Sequence, residues 1–307
     1  MLYNLLVVLG PTASGKTKFA AHLAYCLNGE VISADSRQVY RGMDIGTGKD
    51  LADYTVENRN IPYHLIDIVD AGYQYNVFEY QKDFVKEFNE ITSRNVFPVL
   101  CGGSGMYIES IIKNYRLTEV PPDNKLRSEL EKFTDNELAD KLLALRPLHN
   151  TTDSSTRKRV IRAIEIALYQ NNNPVNELQN PVINPLIVGL NPDREIRRAR
   201  ITCRLEDRLN QGMIQEAENL INNGVPPEML EYYGLEYKFL AQYITGRIDF
   251  DTMKEHLNIA IHQFAKRQMT WFRRMEKQGI KINWIDVSKP FSLQIEQVLY
   301  LLSEKNT

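Results

Sequence analysis

The apolar positions of this chain fall into two textures. Leu5-Leu6-Val7-Val8-Leu9 is a short continuous apolar run, the pattern of a strand covered on both faces. A helical spacing follows through Lys18, Ala20, Ala21, Leu23 and Ala24. Glu30-Val31-Ile32-Ser33 predicts a second strand, and Tyr63-His64-Leu65-Ile66-Asp67-Ile68-Val69 a third. Phe78, Phe84, Val85, Phe88 and Ile91 share one side of an amphipathic helix. Phe97-Pro98-Val99-Leu100-Cys101 then reads as another strand. Strands alternating with helices imply an α/β fold with a parallel sheet, whose ligands sit at the carboxyl ends of the strands.

From about Leu117 the texture changes. Pro121-Pro122-Asp123 opens a stretch with no strand-like run until Leu186-Ile187-Val188-Gly189-Leu190. Helical patterns are expected near 124–133, 135–145 and 154–170, the last ended by Asn171-Asn172-Asn173-Pro174. A helical block bracketed by two parts of a βα core reads as an insertion, residues 117–185, within a core of 1–116 and 186–307. Long helices are expected near 193–223 and 251–278, a short strand over 280–285 and a final helix over 291–303.

Composition narrows this little. The 307 residues suffice for a full core and two domains. A formal charge of −2 gives no global pull toward nucleic acid, so any such binding must use local basic patches. Three scattered cysteines, Cys26, Cys101 and Cys203, suit neither a disulfide framework nor a zinc site, and a reducing cytoplasm is the expected setting. No signal peptide or membrane span is expected.

The turns carry the chemistry. Gly10-Pro11-Thr12-Ala13-Ser14-Gly15-Lys16-Thr17 fits G-x-x-x-x-G-K-[ST] between a strand and a helix start. Its glycines let backbone N–H groups approach phosphate oxygens, and the following helix dipole favours the same anion. Lys16 adds a point charge, and the Thr17 hydroxyl suits a magnesium ion. Asp35, just past the second strand, faces the same strand ends; ligating magnesium, accepting a proton and capping a turn are all open to it. Gly102-Gly103-Ser104-Gly105 is a second backbone-donor loop that opens a helix, and the two loops together could hold one diphosphate. Its strand does not end in the acidic residue many ATP-hydrolysing P-loop proteins use for magnesium, which argues against a motor or switch ATPase.

Basic residues cluster three times: Arg157, Lys158, Arg159 and Arg162; Arg194, Arg197, Arg198, Arg200, Arg204 and Arg208; and Lys266, Arg267, Arg273 and Arg274 around Trp271 and Phe272. One cluster is usually a solvated face, whereas three in a near-neutral chain suggest surface for a polyanion. The aromatics beside the last cluster fit either base stacking or the core.

Together these segments resemble the tRNA dimethylallyltransferase family. The likeness is carried by the phosphate loop and by Ile32 through Lys49, including Ser33-Ala34-Asp35-Ser36-Arg37-Gln38. It continues through Pro62-Tyr63-His64-Leu65-Ile66-Asp67, Gly102-Gly103-Ser104-Gly105-Met106-Tyr107, Arg159-Val160-Ile161-Arg162-Ala163-Ile164-Glu165 and Ala265-Lys266-Arg267-Gln268-Met269-Thr270-Trp271-Phe272-Arg273. The resemblance implies a P-loop NTPase-like core with an inserted, mostly helical tRNA-binding domain. It implies transfer of a dimethylallyl group from dimethylallyl diphosphate to N6 of an adenine beside the tRNA anticodon, with Mg2+ as cofactor. Lys16, Asp35, Ser104 and Arg208 then match catalytic positions: Asp35 takes the amine proton, Ser104 (usually Thr in the family) bonds the donor's bridging oxygen, and Arg208 contacts diphosphate. Residues 10–17 match the phosphate-binding segment. The expected tRNA contacts are Asp35, Ser36, Arg37, Gln38, Ser104, Arg127, Lys158, Arg159, Val160, Ile161, Arg162, Tyr237, Lys238, Lys266, Arg267 and Arg273. The partner is the anticodon stem-loop, with the target base flipped into the channel. A monomer without a membrane partner is expected. The sequence departs from the family pattern at Ile261-His262-Gln263 and at Glu236, where glycine is usual.

Other readings use the same loop differently. An adenylate isopentenyltransferase would prenylate a free nucleotide; the helical insertion and the Lys266–Arg273 segment favour a large RNA instead. A small-molecule kinase would need an adenine-binding or lid signature, which the sequence does not display. A non-catalytic RNA-binding module is disfavoured by the intact Lys16, Thr17 and Asp35 set.

Overall fold

A computed structural model describes residues 3–115, 117–145, 156–173 and 180–304. The chain divides into two compact units, Met1–Asn114 with Asn180–Thr307, and Tyr115–Gln179.

The larger unit is built on β1 (Leu5–Leu9), entirely buried and followed through the glycine-rich loop by α1 (Lys16–Leu27). β2 (Gly29–Ala34) comes next. A small antiparallel pair, β3 (Thr55–Val56) and β4 (Arg59–Asn60), precedes the two-residue β5 (Tyr63–His64). The expected strand over 63–69 is cut short because Leu65 and Asp67 take positive φ, 60° and 56°, which no strand tolerates; only an isolated bridge of Tyr40 to Val69 continues the pairing. α2 (Val77–Ser93) starts at a capping box, in which Asn76 accepts from the Glu79 backbone and Glu79 reaches back to Asn76 N–H. β6 (Phe97–Gly102) and α3 (Gly105–Ile112) complete the first part of this unit.

The smaller unit holds α4 (Asn124–Leu130), α5 (Asp135–Leu145) and α6 (Arg157–Asn172). Leu130, Leu138, Leu142, Val160, Ile161 and Ile164 form its own apolar core. Residues 154 and 155 of the expected third helix, and the expected stop at Pro174, lie outside the described residues.

The larger unit resumes with β7 (Pro185–Leu190). The single helix expected over 193–223 is two, α7 (Arg194–Asn210) and α8 (Met213–Asn222), because Gly212 at φ 98° breaks the run. α9 (Pro227–Leu230) and α10 (Leu235–Ile244) occupy a stretch for which no element is expected above. α11 (Phe250–Lys277), β8 (Asn283–Ile285) and α12 (Phe291–Ser303) finish the fold.

The sheet has six strands in the order β5-β2-β6-β1-β7-β8. Every pairing in it is parallel, as the alternating pattern predicts. Two buried clusters cover its faces, one built on Leu5, Val7 and Leu9 and the other on Leu6 and Val8, so alternate residues of β1 serve opposite sides. β2, β6 and β1 are adjacent, so Asp35, the 102–105 loop and the phosphate loop emerge side by side.

Candidate active site

A cavity of about 570 Å³ opens at these strand ends. Thr12, Lys16, Thr17, Asp35, Gly103 and Ser104 line it, together with Arg204 and Arg208 from α7. The phosphate loop needs left-handed backbone at Ala13 (φ 60°) and Gly15 (φ 82°). A side chain at Gly10 would run into the Leu190 carbonyl oxygen at 2.6 Å, so only glycine fits between β1 and β7 there. Among the described residues the Lys16 ammonium touches one acceptor, the Pro11 carbonyl, at 3.4 Å. Burial lowers its pKa, only partly opposed by Cys101 and Asp35. The Ser14 hydroxyl is buried without a partner in the same loop.

Asp35 Oδ1 accepts from the Arg37 N–H at 2.9 Å, which bends the chain into the cavity rim. The Ser104 hydroxyl accepts from the Ser36 N–H at 3.0 Å and lies 3.3 Å from the Ser36 hydroxyl. The 34–36 turn and the 102–105 loop are thereby stitched together. Arg208 Nη2 is buried without a hydrogen-bond partner, and its one ion pair among the described residues is a long one to Asp50 at 3.8 Å. Burial first, then Arg204, bring its pKa down to about 10. A buried guanidinium poor in internal partners is what an anion-binding cavity requires.

Two further groups form the cavity wall, of which the sequence singles out Trp271 as a stacking or core aromatic and assigns Gln268 no role. Gln268 on α11 accepts from the Thr12 N–H at 2.8 Å and donates to the Gly103 carbonyl at 3.0 Å. Trp271, one helical turn on, packs its ring where a Gly105 side chain would stand, and the Arg274 guanidinium stacks 4.0 Å from the ring centre. Both belong to the segment carrying the family likeness, which for Gln268 is the one clue the sequence offered. Burial also holds the Glu236 carboxyl above its ordinary range, opposed by Arg208.

The residues present fit a magnesium ion in a limited sense. Thr17 and Asp35 offer hard oxygen donors in one cavity, and among the described residues no cluster of three or more His, Cys, Asp or Glu forms a protein cage. That donor set suits an ion that keeps its waters and leans on substrate phosphates.

The other expected site residues divide. Ser36, Arg37, Gln38, Lys238 and Arg267 line the cavity. Lys266 and Arg273 are exposed on α11. Tyr237 is corrected: it is fully buried, and its hydroxyl donates to Glu216 at 2.6 Å rather than facing solvent. Val160 and Ile161 are corrected likewise; they are core residues of the smaller unit, on the apolar side of α6. Within that unit Arg127 and Arg162 both bind the buried Glu165 carboxylate, Arg127 by Nε at 3.0 Å and Nη2 at 2.8 Å. Arg162 also donates to the Val120 carbonyl at 2.7 Å. Arg127 ties α4 to α6 and Arg162 ties α6 to the segment at Val120, whereas Lys158 and Arg159 are exposed.

A parallel sheet with a glycine-rich loop after β1, and a carboxylate and a hydroxyl at the two neighbouring strand ends, defines an α/β class with a P-loop-like fold. The comparisons narrow the class. Residues 38–275 match the family described as IPP transferase. A tRNA dimethylallyltransferase 2 of Bacteroides fragilis is 54% identical over 302 residues, 98% of this chain and 99% of that protein. The solved tRNA isopentenylpyrophosphate transferase of Bacillus halodurans is 33% identical with a TM-score of 0.70, covering 98% of this chain and 96% of its own. A eukaryotic dimethylallyltransferase solved acting on tRNA shares the fold, at 24% identity and a TM-score of 0.76 over 98% of this chain and 78% of that one. The chain belongs to the IPP transferase family.

Proposed function

We propose that this chain is a tRNA dimethylallyltransferase, moving a dimethylallyl group from dimethylallyl diphosphate to N6 of an adenine next to the anticodon. The observation that carries the reading is the single cavity joining Lys16, Thr17, Asp35, Ser104 and Arg208. The phosphate loop and Arg208 bind the diphosphate. The adenine nitrogen bonds to the allylic carbon as that carbon's bond to oxygen breaks. The electron pair leaves with inorganic pyrophosphate, and the proton lost by the amine passes to Asp35. Ser104 hydrogen-bonds the bridging oxygen, and Lys16 and Arg208 counter the charge growing on the leaving group. Magnesium, held by Thr17 and the diphosphate, supplies further neutralisation when bound. Lys238 and Arg267 at the cavity, Lys266 and Arg273 on α11, and Lys158 and Arg159 of the smaller unit contact the RNA.

Among the described residues no helix is long and apolar enough to cross a membrane, and Cys26 and Cys203 are exposed free thiols, which suits a reducing cytoplasm. The deciding experiment incubates the protein with labelled dimethylallyl diphosphate and either bulk tRNA or AMP. Label in tRNA supports this reading; label in AMP alone would replace it with a free-nucleotide prenyltransferase.

A further inference from the structure

Glu216 stands in α8, outside every motif used above. Its carboxylate nonetheless accepts four hydrogen bonds. Oε2 receives the Asp44 and Ile45 N–H groups, each at 2.8 Å, and Oε1 receives the Gly46 N–H at 2.9 Å and the Tyr237 hydroxyl at 2.6 Å. Residues 45–48 form a hydrogen-bonded turn: Gly48 and Lys49 N–H both return to the Asp44 carbonyl at 3.0 Å, and the Thr47 hydroxyl returns to Met43. The first N–H groups of such a turn have no partner within it. Glu216 supplies one from 170 residues or more away in the chain.

The far end of this turn forms part of the cavity wall, through Gly46, Thr47 and Gly48. Gly48, at φ 70°, lies so close to Arg208 that a methyl group there would overlap the guanidinium. Its carbonyl accepts from Gln38 at 3.0 Å, and Gln38 in turn contacts Ser33 of β2 at 3.2 Å. Gly46 lies close to Tyr237, where a methyl group would meet the ring at 2.6 Å. The turn is thus clamped at its start by Glu216, backed by Tyr237, and pressed at its end onto Arg208.

We infer that Glu216 is a positioning residue: by capping the 45–48 turn it seats Gly48 against Arg208 and so sets where that guanidinium meets the diphosphate. The inference rests on the reading of Arg208 as a diphosphate contact. A guanidinium with few internal partners takes its position from packing, so a loosened turn releases it. Displacing a charge-stabilising group by about 1 Å costs on the order of 100-fold in rate.

The test is a double-mutant cycle on the full-length protein between Glu216→Gln and Arg208→Ala. The glutamine keeps the shape but leaves an N–H2 facing backbone donors. Two readouts are taken: affinity for inorganic pyrophosphate with magnesium, and the single-turnover rate of transfer to tRNA at saturating RNA. Alone, Glu216→Gln should weaken pyrophosphate binding and slow transfer by roughly 10-fold or more, with tRNA affinity within about twofold. In the Arg208→Ala background the same change should add almost nothing. Tyr237→Phe, which removes one of the four bonds, should give a smaller effect that vanishes in the same background. Multiplying effects would overturn the inference, because Glu216 would then act independently of Arg208. If the wild type transfers nothing to tRNA, the function reading fails, yet the pyrophosphate cycle still decides the coupling. A Glu216→Gln variant too unstable to assay leaves the decision to Tyr237→Phe, whose additivity with Arg208→Ala would equally overturn it.

Discussion

Gln268 holds Thr12 by its backbone: the glutamine side-chain oxygen accepts the Thr12 N–H at 2.8 Å, across 256 residues of chain. The other end of the same amide donates to Gly103. One side chain of α11 therefore sets the spacing of the two glycine loops. Gln268→Ala should leave the Thr12 N–H and Gly103 carbonyl without these partners. The expected cost is about 1–3 kcal/mol of stability, with a larger proportional loss in donor binding than in RNA binding. Urea unfolding and separate titrations of pyrophosphate and tRNA measure the two effects; an unchanged pyrophosphate affinity would show that the loops keep their spacing without it.

Lys16 is predicted to trade stability for binding. Burial lowers its pKa, so the charged ammonium is disfavoured by folding when no anion is present. Lys16→Met should abolish transfer and pyrophosphate binding while raising the stability of the ligand-free protein by on the order of 1 kcal/mol at neutral pH. The gain should shrink as pH rises and the lysine loses its proton. A melt that moves down instead of up would mean that the ammonium is well solvated in the loop.

Asp35 is predicted to act as the base. An exocyclic adenine amine is a weak nucleophile that becomes strongly acidic as it attacks, so a placed carboxylate speeds the step by about 10²–10⁴-fold. Asp35→Asn should lose that factor in single turnover, with donor and tRNA affinities changed much less. Raising magnesium should not restore the rate. Rescue by magnesium would reassign Asp35 to holding the ion.

Lys158 and Arg159 should carry ionic contacts to RNA. Replacing both by alanine should weaken tRNA binding and flatten its salt dependence by the worth of about one to two phosphates. Arg162→Ala, in contrast, should act through the stability of the smaller unit, since Arg162 binds Glu165 and the Val120 carbonyl. A double variant with an unmoved salt slope would remove that face of α6 from the RNA interface.

Glu30 should make stability depend on pH. Arg94 binds its carboxylate at 2.7 and 2.8 Å, and His64, which also meets Glu87 at 2.7 Å, contacts it at 2.8 Å. The Arg94 hydrogen bonds chiefly, against burial, hold its folded-state pKa below the ordinary 4.5. A depressed carboxylate contributes stability that is full above its unfolded value and lost as pH falls through the folded one. Glu30→Gln should therefore cost about 1–2 kcal/mol at pH 7, and that difference should shrink as pH falls below 4.5 and vanish once the pH has passed the depressed folded value. A pH-independent difference would locate the effect in packing.

What the sequence determined by itself was local. The apolar run 5–9, the glycine spacing after it and the strand-like pattern before Asp35 are short-range features, and each dictates backbone conformation through sterics and burial. Because parallel strands must end on one edge, those features also brought the phosphate loop, Asp35 and the 102–105 loop to neighbouring strand ends. The helix at 227–230 escaped because four residues are too few to show a period; that at 235–244 does carry one, Tyr237, Leu240, Ala241 and Ile244, which was not used. Side-chain direction was the tertiary structure's decision. Tyr237 sits in a motif beside charged residues, yet packing turns it into the core, whereas the helical spacing of Val160 and Ile161 had already put them on an apolar side. The grip of Gln268 on Thr12 and of Glu216 on the 45–48 turn joins groups more than 160 residues apart. Each is a hydrogen bond whose partner is chosen by how helices pack on the sheet, and no local periodicity records that choice.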